Sequence, residues 1–284
     1  MDRIPEPDLM NDAAQAQAYA LADFSEPHNQ FVDQFRRCFP RSRPARVLDL
    51  GCGTADVTLR FARAYSECCM VGIDGAPAML RHARGAVAGA GMDGRIQLIC
   101  VRLPQVTKPS TLAFSANAPG FALSPRRRFP TPLYLLHPWS RASMQSSQRE
   151  ERRKPSPLTL SQGERGGWWE SIINLGFDSI ISNSLLHHLQ DSAILWDALK
   201  SYGCSGTHVL IMDLIRPATR RAAAQLVTTY ADGEHELLKQ DFYNSLLAAY
   251  TEEEIKIQLK MARLSKLKIQ RVSDRHIIVY GDLA

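Results

Sequence analysis

Short continuous apolar runs alternate along this chain with longer stretches whose apolar residues lie three or four positions apart. The short runs, which have the length of buried strands, fall at 46–50, 69–73, 96–101, 177–182 and 209–213. The stretches with helical spacing fall at 11–38, 55–65, 78–88, 192–202, 217–230, 234–248 and 251–262. Two last runs, 267–272 and 276–280, predict a hairpin. This alternation predicts an α/β fold with a doubly wound, mostly parallel sheet and a C-terminal antiparallel hairpin strand.

The segment 104–167 departs from this pattern. It holds nine of the sixteen prolines and, from residue 108 onward, ten Lys/Arg against three Asp/Glu. Such a composition cannot bury enough apolar surface to offset the entropy of ordering. We therefore predict a single domain over 1–284 that is interrupted by a low-order, basic, proline-rich insertion at 104–167.

Three interpretations of this insertion stay open. It could be a disordered spacer, an arm that binds a partner or nucleic acid, or an in-frame repetitive element. The run Pro155–Gly166 resembles a translated bacterial intergenic repeat, which favours the third. The net charge of the chain is +5, and that of the insertion alone is +7, so the remainder is mildly acidic. Nucleic acid is therefore not an expected partner of the rest of the chain.

The overall composition, 45% hydrophobic and 22% charged, is that of an ordinary globular protein. No apolar run approaches the roughly 20 residues of a membrane helix, and residues 1–10 lack the apolar core of a secretory signal. The six cysteines have no regular spacing, which fits reduced thiols. These features predict a cytoplasmic protein that does not span a membrane.

The candidate chemistry begins with two glycines, Gly51 and Gly53, directly after the first predicted strand. Glycine has no Cβ, so the backbone there can turn sharply and let a ligand approach closely. Ligands of doubly wound sheets bind at this carboxyl edge. The second strand ends at Asp74, whose carboxylate could accept both hydroxyls of a ribose. The pattern predicts a ligand that contains a nucleoside.

Two nucleoside cofactors compete for this site. A dinucleotide fingerprint requires a third glycine, but that position is Asp56. Asp49, which leads into the loop, would repel a diphosphate, whereas it suits a ligand that carries an ammonium and a sulfonium group. The residues favour a methyl donor over NAD.

At this point the sequence resembles a known family. The segment 47–54, VLDLGCGT, resembles the first motif of the class I S-adenosylmethionine-dependent methyltransferases. Residues 71–74 with 78–80 resemble their second motif, and 177–189 resembles the fourth-strand motif of their small-molecule branch, which includes ubiquinone-biosynthesis-type enzymes. The resemblance covers about 45–103 and 171–216, and it implies a Rossmann-like fold with S-adenosyl-L-methionine as cofactor.

The resemblance also implies which residues bind. The cofactor would contact Asp49, Gly51, Cys52, Gly53, Asp74, Gly75, Asn183 and Ser184. One position departs from the family, which often has an acidic residue after the third strand to contact the adenine amino group. Here that position is Val101-Arg102, so either adenine is held by backbone and apolar contacts or the pocket is impaired.

Two histidines, His187 and His188, follow the fourth strand on the same sheet edge and are the candidate catalytic residues. Methyl transfer needs mainly alignment and desolvation, but a histidine could take the proton of a phenol, enol or acid. Alternatively, the pair caps or packs against the next helix. No metal is expected, because no carboxylate or cysteine cluster is seen to join the histidines.

The sequence therefore predicts an S-adenosylmethionine-dependent methyltransferase that acts on a small-molecule acceptor, which the residues do not identify. Three alternatives stay open. An NAD-dependent oxidoreductase would bind the dinucleotide. A non-catalytic protein with this fold, impaired by the insertion, would bind no donor. An RNA methyltransferase would use the basic segment as an arm, with an affinity that falls steeply with salt.

Overall fold

The computed structural model describes residues 1–6, 12–103 and 176–284, so the predicted insertion lies outside the described residues. The helices are α1 Ala13–Leu21, α2 Ser25–Cys38, α3 Asp56–Ala64, α4 Pro77–Gly89, α5 Ala193–Tyr202, α6 Arg220–Ala231, α7 Glu236–Ala248 and α8 Glu252–Met261, with a 3₁₀ turn at Leu186–His188. The strands are β1 Arg46–Leu50, β2 Cys69–Asp74, β3 Ile96–Cys100, β4 Phe177–Asn183, β5 Gly203–Leu214, β6 Lys268–Arg271 and β7 His276–Asp282. None of the helices in the described ranges has the length and apolar content that crossing a bilayer requires.

The seven strands form one sheet in the order β3-β2-β1-β4-β5-β7-β6. The first five are parallel, and β7 pairs antiparallel with both β5 and β6. The predicted fold class, including the C-terminal antiparallel hairpin, is confirmed.

The strand order reverses at β1, which lies between β2 and β4. The chain first moves outward from β1 to β3 and then returns to the other side of β1. The loop after β1 and the segment after β4 therefore meet at one carboxyl edge, which is where doubly wound sheets bind ligands.

The sheet is covered on both faces, so apolar side chains of its central strands are buried on either side. On one face, Trp196 and Tyr202 of α5 pack with Phe177. On the other face, Phe35 of α2 contacts Phe61 of α3 edge to face, with ring centroids 4.8 Å apart. These two apolar layers hold β1 and β4 in place beneath the site.

One predicted strand differs clearly in length. The apolar pattern predicts 209–213, but β5 extends over Gly203–Leu214. Its first part is polar and pairs at both edges, since Gly203 lies opposite Phe177 of β4, and His208 lies opposite Asp282 of β7. This segment is a strand because it hydrogen-bonds to both neighbouring strands. Such pairing depends on tertiary contacts, so a pattern of apolar residues along the sequence does not predict it.

Candidate active site

The loop after β1 has the backbone conformation that its glycines allow. Gly51 and Gly53 have φ of +75° and +53°, in the left-handed region that side chains disfavour. The N–H groups of Gly51 and Cys52 both donate to the carbonyl oxygen of Ile73, at 2.8 and 3.0 Å. The loop is thereby tied to the end of β2.

Asp74 is fixed at the end of β2 by backbone donors. Its Oδ2 accepts from the N–H of Gly53 at 2.8 Å, and its Oδ1 accepts from the N–H of Ala76 at 2.7 Å. Burial raises the pKa of this carboxyl, and the two N–H groups act in the opposite direction. Each oxygen keeps lone pairs for a ligand, so the predicted ribose contact has a preorganised acceptor.

Asp49 lies beneath the loop and is almost fully buried. Its Oδ2 accepts a hydrogen bond of 2.6 Å from the hydroxyl of Thr58 in α3. Burial raises the pKa of Asp49 to about 7, because the charged form loses its hydration. A cationic ligand above the loop would favour the charged form of this group.

A cavity of about 490 Å³ opens over this loop and Asp74. Every predicted cofactor residue lines it, namely Asp49, Gly51, Cys52, Gly53, Asp74, Gly75, Asn183 and Ser184. Ser184 has φ of +55°, and its N–H donates to the carbonyl of Met212 at 2.9 Å. Such strained non-glycine residues concentrate at functional sites.

The two histidines occupy different places. His188 lines the cavity, whereas His187 is buried behind it, with a side chain that is 3% exposed. Nδ1 of His187 donates to Oδ1 of Asp213 at 2.6 Å. Burial opposes the charged imidazolium, but the Asp213 carboxylate more than offsets this and raises the pKa of His187. Of the two histidines, His188 is thus the one that lines the cavity.

A carboxylate joins this pair, contrary to the reason given above for expecting no metal. Glu6 lies beside His188, with Oε2 2.5 Å from Nδ1, and Glu6, His187 and His188 place potential ligand atoms within 4.8 Å of one another. The sequence does not indicate that Glu6 is a partner of the histidines, because Glu6 precedes them by about 180 residues. Burial alone would raise the pKa of Glu6, but the His188 hydrogen bond and charge lower it to about 2.

Acidic groups dominate the charge of the cavity. Among the described residues that line it, the carboxylates are Glu6, Asp49, Asp56, Asp74 and Asp191, and the basic side chains are Arg102, His28 and His188. Asp56 stands where a dinucleotide fingerprint has its third glycine, and its Oδ2 accepts from Nε of Arg60 at 2.8 Å and lies 2.6 Å from Nδ1 of His28. A side chain at this position does not allow the close approach to a pyrophosphate that a third glycine would allow, so the dinucleotide alternative is disfavoured.

Residues 101–103, which directly follow β3, also line the cavity. Val101 and Leu103 are apolar, and Arg102 stands between them in the sequence. The acidic residue that the family often has here is absent from 101–103, as the sequence indicates. Of the two interpretations given for this departure, apolar contacts with adenine agree with these side chains.

Sequence analysis left several lining residues unassigned. Glu6, His28, Asp56 and Asp191 all line the cavity, as does Tyr19, whose ring centroid lies 4.5 Å from that of Phe24. Burial and nearby carboxylates raise the pKa of Tyr19 to about 12, so its phenol stays protonated. The helical spacing of 11–38 predicts α1 and α2, but not which of their side chains turn toward the sheet edge.

Comparison with known proteins agrees with this geometry. Residues 47–125, of which 47–103 are described, match the model of a family described as "Methyltransferase domain". A methyltransferase from Aquifex aeolicus, described as SAM dependent, superimposes with a TM-score of 0.52 over 95% of this chain and 97% of its own, at 13% identity. That likeness shows the fold.

In this fold and in this matched segment, the chain is similar to S-adenosylmethionine-dependent methyltransferases. Trans-aconitate 2-methyltransferase of Methylobacterium nodulans is 39% identical over 54 residues, which are 19% of this chain. The 23S rRNA (uracil(1939)-C(5))-methyltransferase RlmD of Burkholderia pseudomallei is 34% identical over 98 residues, 33% of this chain. The chain spans about a fifth (21%) of the length of each of these curated relatives.

The donor set of the cavity fits S-adenosylmethionine, the cofactor of the methyltransferases that this chain resembles. A Cβ added at Gly51 would stand 2.9 Å from Cδ1 of Leu185, so the loop provides a cradle that a side chain would fill. Asp74 offers acceptors for ribose hydroxyls, and Asp49 offers negative charge for the sulfonium and ammonium groups. Val101 and Leu103 line the same cavity and offer apolar surface that suits an adenine ring.

Proposed function

We propose that the protein transfers a methyl group from S-adenosylmethionine to a hydroxyl group of a small molecule. One observation carries the proposal. Asp74, held by the N–H groups of Gly53 and Ala76, shares one cavity with His188, which has its own carboxylate partner in Glu6. The cavity therefore combines a fixed acceptor for a ribose with a histidine that can take a proton.

Each part of this chain would have a defined role. Asp74 would bind the ribose, the loop 51–53 and Asp49 the amino-acid portion, and Val101 and Leu103 the adenine. S-adenosylmethionine supplies a methyl group already activated by positive sulfur. The protein therefore contributes alignment, exclusion of water and removal of the acceptor's proton.

The charge of the cavity supports an uncharged acceptor. Once Asp49 and Asp74 are assigned to the cofactor, Glu6, Asp56 and Asp191 still face the cavity, with Arg102 as the one guanidinium among the described lining residues. A tricarboxylate such as the substrate in the name of the Methylobacterium relative would be repelled. A neutral alcohol or phenol avoids this repulsion and can give its proton to His188.

The alternatives from sequence are less well supported. The fixed carboxylates of the cavity disfavour binding of a dinucleotide. The alternative of an impaired pocket is disfavoured because all the predicted cofactor residues line the cavity. The partial match to RlmD leaves an RNA acceptor as a testable rival, because its name gives rRNA as its substrate. That rival predicts RNA binding by the full chain that weakens steeply with salt.

The test is a calorimetric titration of S-adenosylhomocysteine into the folded full-length chain. We expect binding that Asp74→Asn weakens about 10- to 100-fold, because hydrogen bonds to a charged acceptor contribute about 1.5–3 kcal/mol. Asp197→Asn is the matched control, since that side chain is 67% exposed and pairs with Lys200 on α5. A folded chain that does not bind S-adenosylhomocysteine would contradict the proposal.

A further inference from the structure

We infer that residues 1–6 complete the catalytic site, with Glu6 as a positioning residue that fixes the ring of His188 with its proton on Nδ1. Oε2 of Glu6 lies 2.5 Å from Nδ1 of His188, and both residues line the cavity. The chemical meaning of this inference rests on the proposed function, but the contacts themselves do not.

Glu6 is held in place from its other side. Its Oε1 accepts a hydrogen bond of 2.7 Å from the hydroxyl of Ser245 in α7. The side chain is only 13% exposed, so water competes little for either oxygen. Two directed contacts leave the carboxylate little freedom to rotate away from His188.

The identity of the partner sets the tautomer of His188. An ionised carboxylate can only accept hydrogen bonds, so Nδ1 of His188 must carry the hydrogen. A neutral ring then has its lone pair on Nε2. Free imidazole side chains favour the opposite tautomer, with the hydrogen on Nε2, so Glu6 imposes the form in which Nε2 is the base.

The backbone around His188 is fixed by the same short segment. Nη2 of Arg3 donates to the carbonyls of His187 and Leu189, each at 2.9 Å, and Nε donates to the carbonyl of Ala248 at 2.5 Å. The guanidinium also lies 4.0 Å from the ring centroid of Tyr250. Arg3 thus clamps the residues on both sides of His188, while Glu6 orients the ring between them.

The arrangement of the imidazole rings of His187 and His188 suits proton transfer better than the binding of a metal ion. The ring centroids of His187 and His188 lie 4.0 Å apart, and the ring planes are inclined by 39°. Nitrogen lone pairs lie in the ring plane, so rings at this distance and inclination do not converge well on one ion. Each Nδ1 already has a carboxylate partner, Asp213 for His187 and Glu6 for His188.

The proton then has a defined route. As the acceptor oxygen forms its bond to the methyl carbon and the carbon–sulfur bond breaks with its electron pair going to sulfur, the hydroxyl proton moves to Nε2 of His188. The products are a methyl ether, S-adenosylhomocysteine and an imidazolium paired with Glu6. The Glu6 carboxylate stabilises this imidazolium without taking the proton itself.

The test is nitrogen-15 NMR of histidine-labelled full-length protein in mildly alkaline buffer, where a histidine is neutral. His188→Asn assigns the signal. We expect the Nδ1–H tautomer in the wild type, a shift to the Nε2–H tautomer in Glu6→Met, and partial retention of Nδ1–H in Glu6→Gln, whose amide oxygen can still accept. The control is Glu253→Met, because that side chain is 77% exposed on α8.

The outcomes separate this inference from the proposed function. An Nε2–H tautomer in the wild type, or a tautomer that Glu6→Met leaves unchanged, would overturn the inference. If Glu6→Met fails to fold, Ser245→Ala provides a second variant, which should give a mixture of tautomers because it frees one carboxylate oxygen. Titration with S-adenosylhomocysteine reports on the methyltransferase proposal independently, since the tautomer is measured without any ligand.

Discussion

Gly51 and Leu185 lie so close together that a methyl group on Cα of Gly51 would stand 2.9 Å from Cδ1 and 3.0 Å from Cβ of Leu185. Gly51 follows β1, Leu185 follows β4, and both line the cavity. This contact sets the width of the cavity where the two loops meet.

The first prediction concerns that contact. Gly51→Ala should lower the free energy of unfolding by about 2–4 kcal/mol, because it adds left-handed backbone strain to a steric overlap. Gly91→Ala is the control, since Gly91 also has a left-handed φ (+64°) but has open space around its Cα. It should cost only about 1–2 kcal/mol. Urea denaturation measures both, and equal losses would contradict the role of the overlap.

Gly51→Ala should also abolish binding of S-adenosylhomocysteine at concentrations that saturate the wild type, whereas Gly91→Ala should bind normally. The reason is that Leu185 must move or the loop must shift, and either change alters the cavity wall. Normal binding by a folded Gly51→Ala variant would show that the ligand does not depend on this loop.

Asp49 gives a second prediction, a proton linked to cofactor binding. Burial holds the pKa of Asp49 at about 7, so near neutral pH the empty site carries a partly protonated carboxyl. A sulfonium and an ammonium favour the charged form, so S-adenosylmethionine should release up to about one proton on binding. S-adenosylhomocysteine, which lacks the sulfonium charge, should release fewer.

Calorimetry in two buffers of different ionisation enthalpy measures this proton release. Asp49→Asn, which keeps the shape but cannot titrate, should abolish it. Asp197→Asn, an exposed carboxamide substitution on α5, should leave it unchanged. Equal release by the wild type and Asp49→Asn would assign the proton to another group.

The sequence alone was sufficient for the fold and for most of the candidate cofactor site. Gly51, Gly53 and Asp74 lie next to strand ends, and the ends of parallel strands share one edge, so local patterns predict that these residues meet. Glu6 could not be found in this way. Nothing in the segment 1–6 has strand or helix periodicity, and its position depends on contacts with α7 and the 3₁₀ turn far along the chain.

His187 shows the same limit within a pair of neighbours. The motif predicts that both histidines lie at the sheet edge, but not which one faces the cavity. Asp213, near the end of β5, draws Nδ1 of His187 inward and also accepts from the N–H of Leu186 at 2.6 Å. The orientation of the pair is therefore determined by a partner 26 residues away.

The buried His187–Asp213 pair gives a third prediction. Despite burial, Asp213 raises the pKa of His187, while His187 lowers that of Asp213. The contribution of the pair to stability is therefore fully present between the ordinary pKa values of the two groups, about 4 and about 6.5. It is lost as pH rises through the raised pKa of His187, and as pH falls through the lowered pKa of Asp213.

Asp213→Asn should destabilise the protein by about 3–5 kcal/mol near pH 6, because it breaks a buried pair. The difference in free energy of unfolding from the wild type should narrow as pH rises from 6.5 through the raised pKa of His187, because over that range the unfolded wild type binds fewer protons than the folded wild type. Urea denaturation at several pH values measures this difference in the free energy of unfolding between the wild type and Asp213→Asn. A gap that stays constant from pH 5 to pH 9 would mean that His187 is already neutral in the folded protein.

The last prediction concerns the stability that Glu6 contributes. Its pKa falls from 4.5 to about 2 in the folded protein, where the His188 hydrogen bond outweighs burial. Because the folded pKa is depressed, the contribution is fully present above pH 4.5 and is lost as pH falls toward 2. At pH 5, Glu6→Gln should therefore lower the free energy of unfolding by roughly 3 kcal/mol.

Denaturation between pH 5 and pH 3 tests this directly, since the difference between the wild type and Glu6→Gln should shrink by about 1.4 kcal/mol per pH unit below 4.5. Glu253→Gln should show no difference at any pH in this range, because its side chain is 77% exposed. If the Glu6→Gln gap does not depend on pH, the carboxylate is not stabilised by a charged partner. Segment 1–6 would then be held mainly by the hydrogen bonds of Arg3 to the three carbonyl groups.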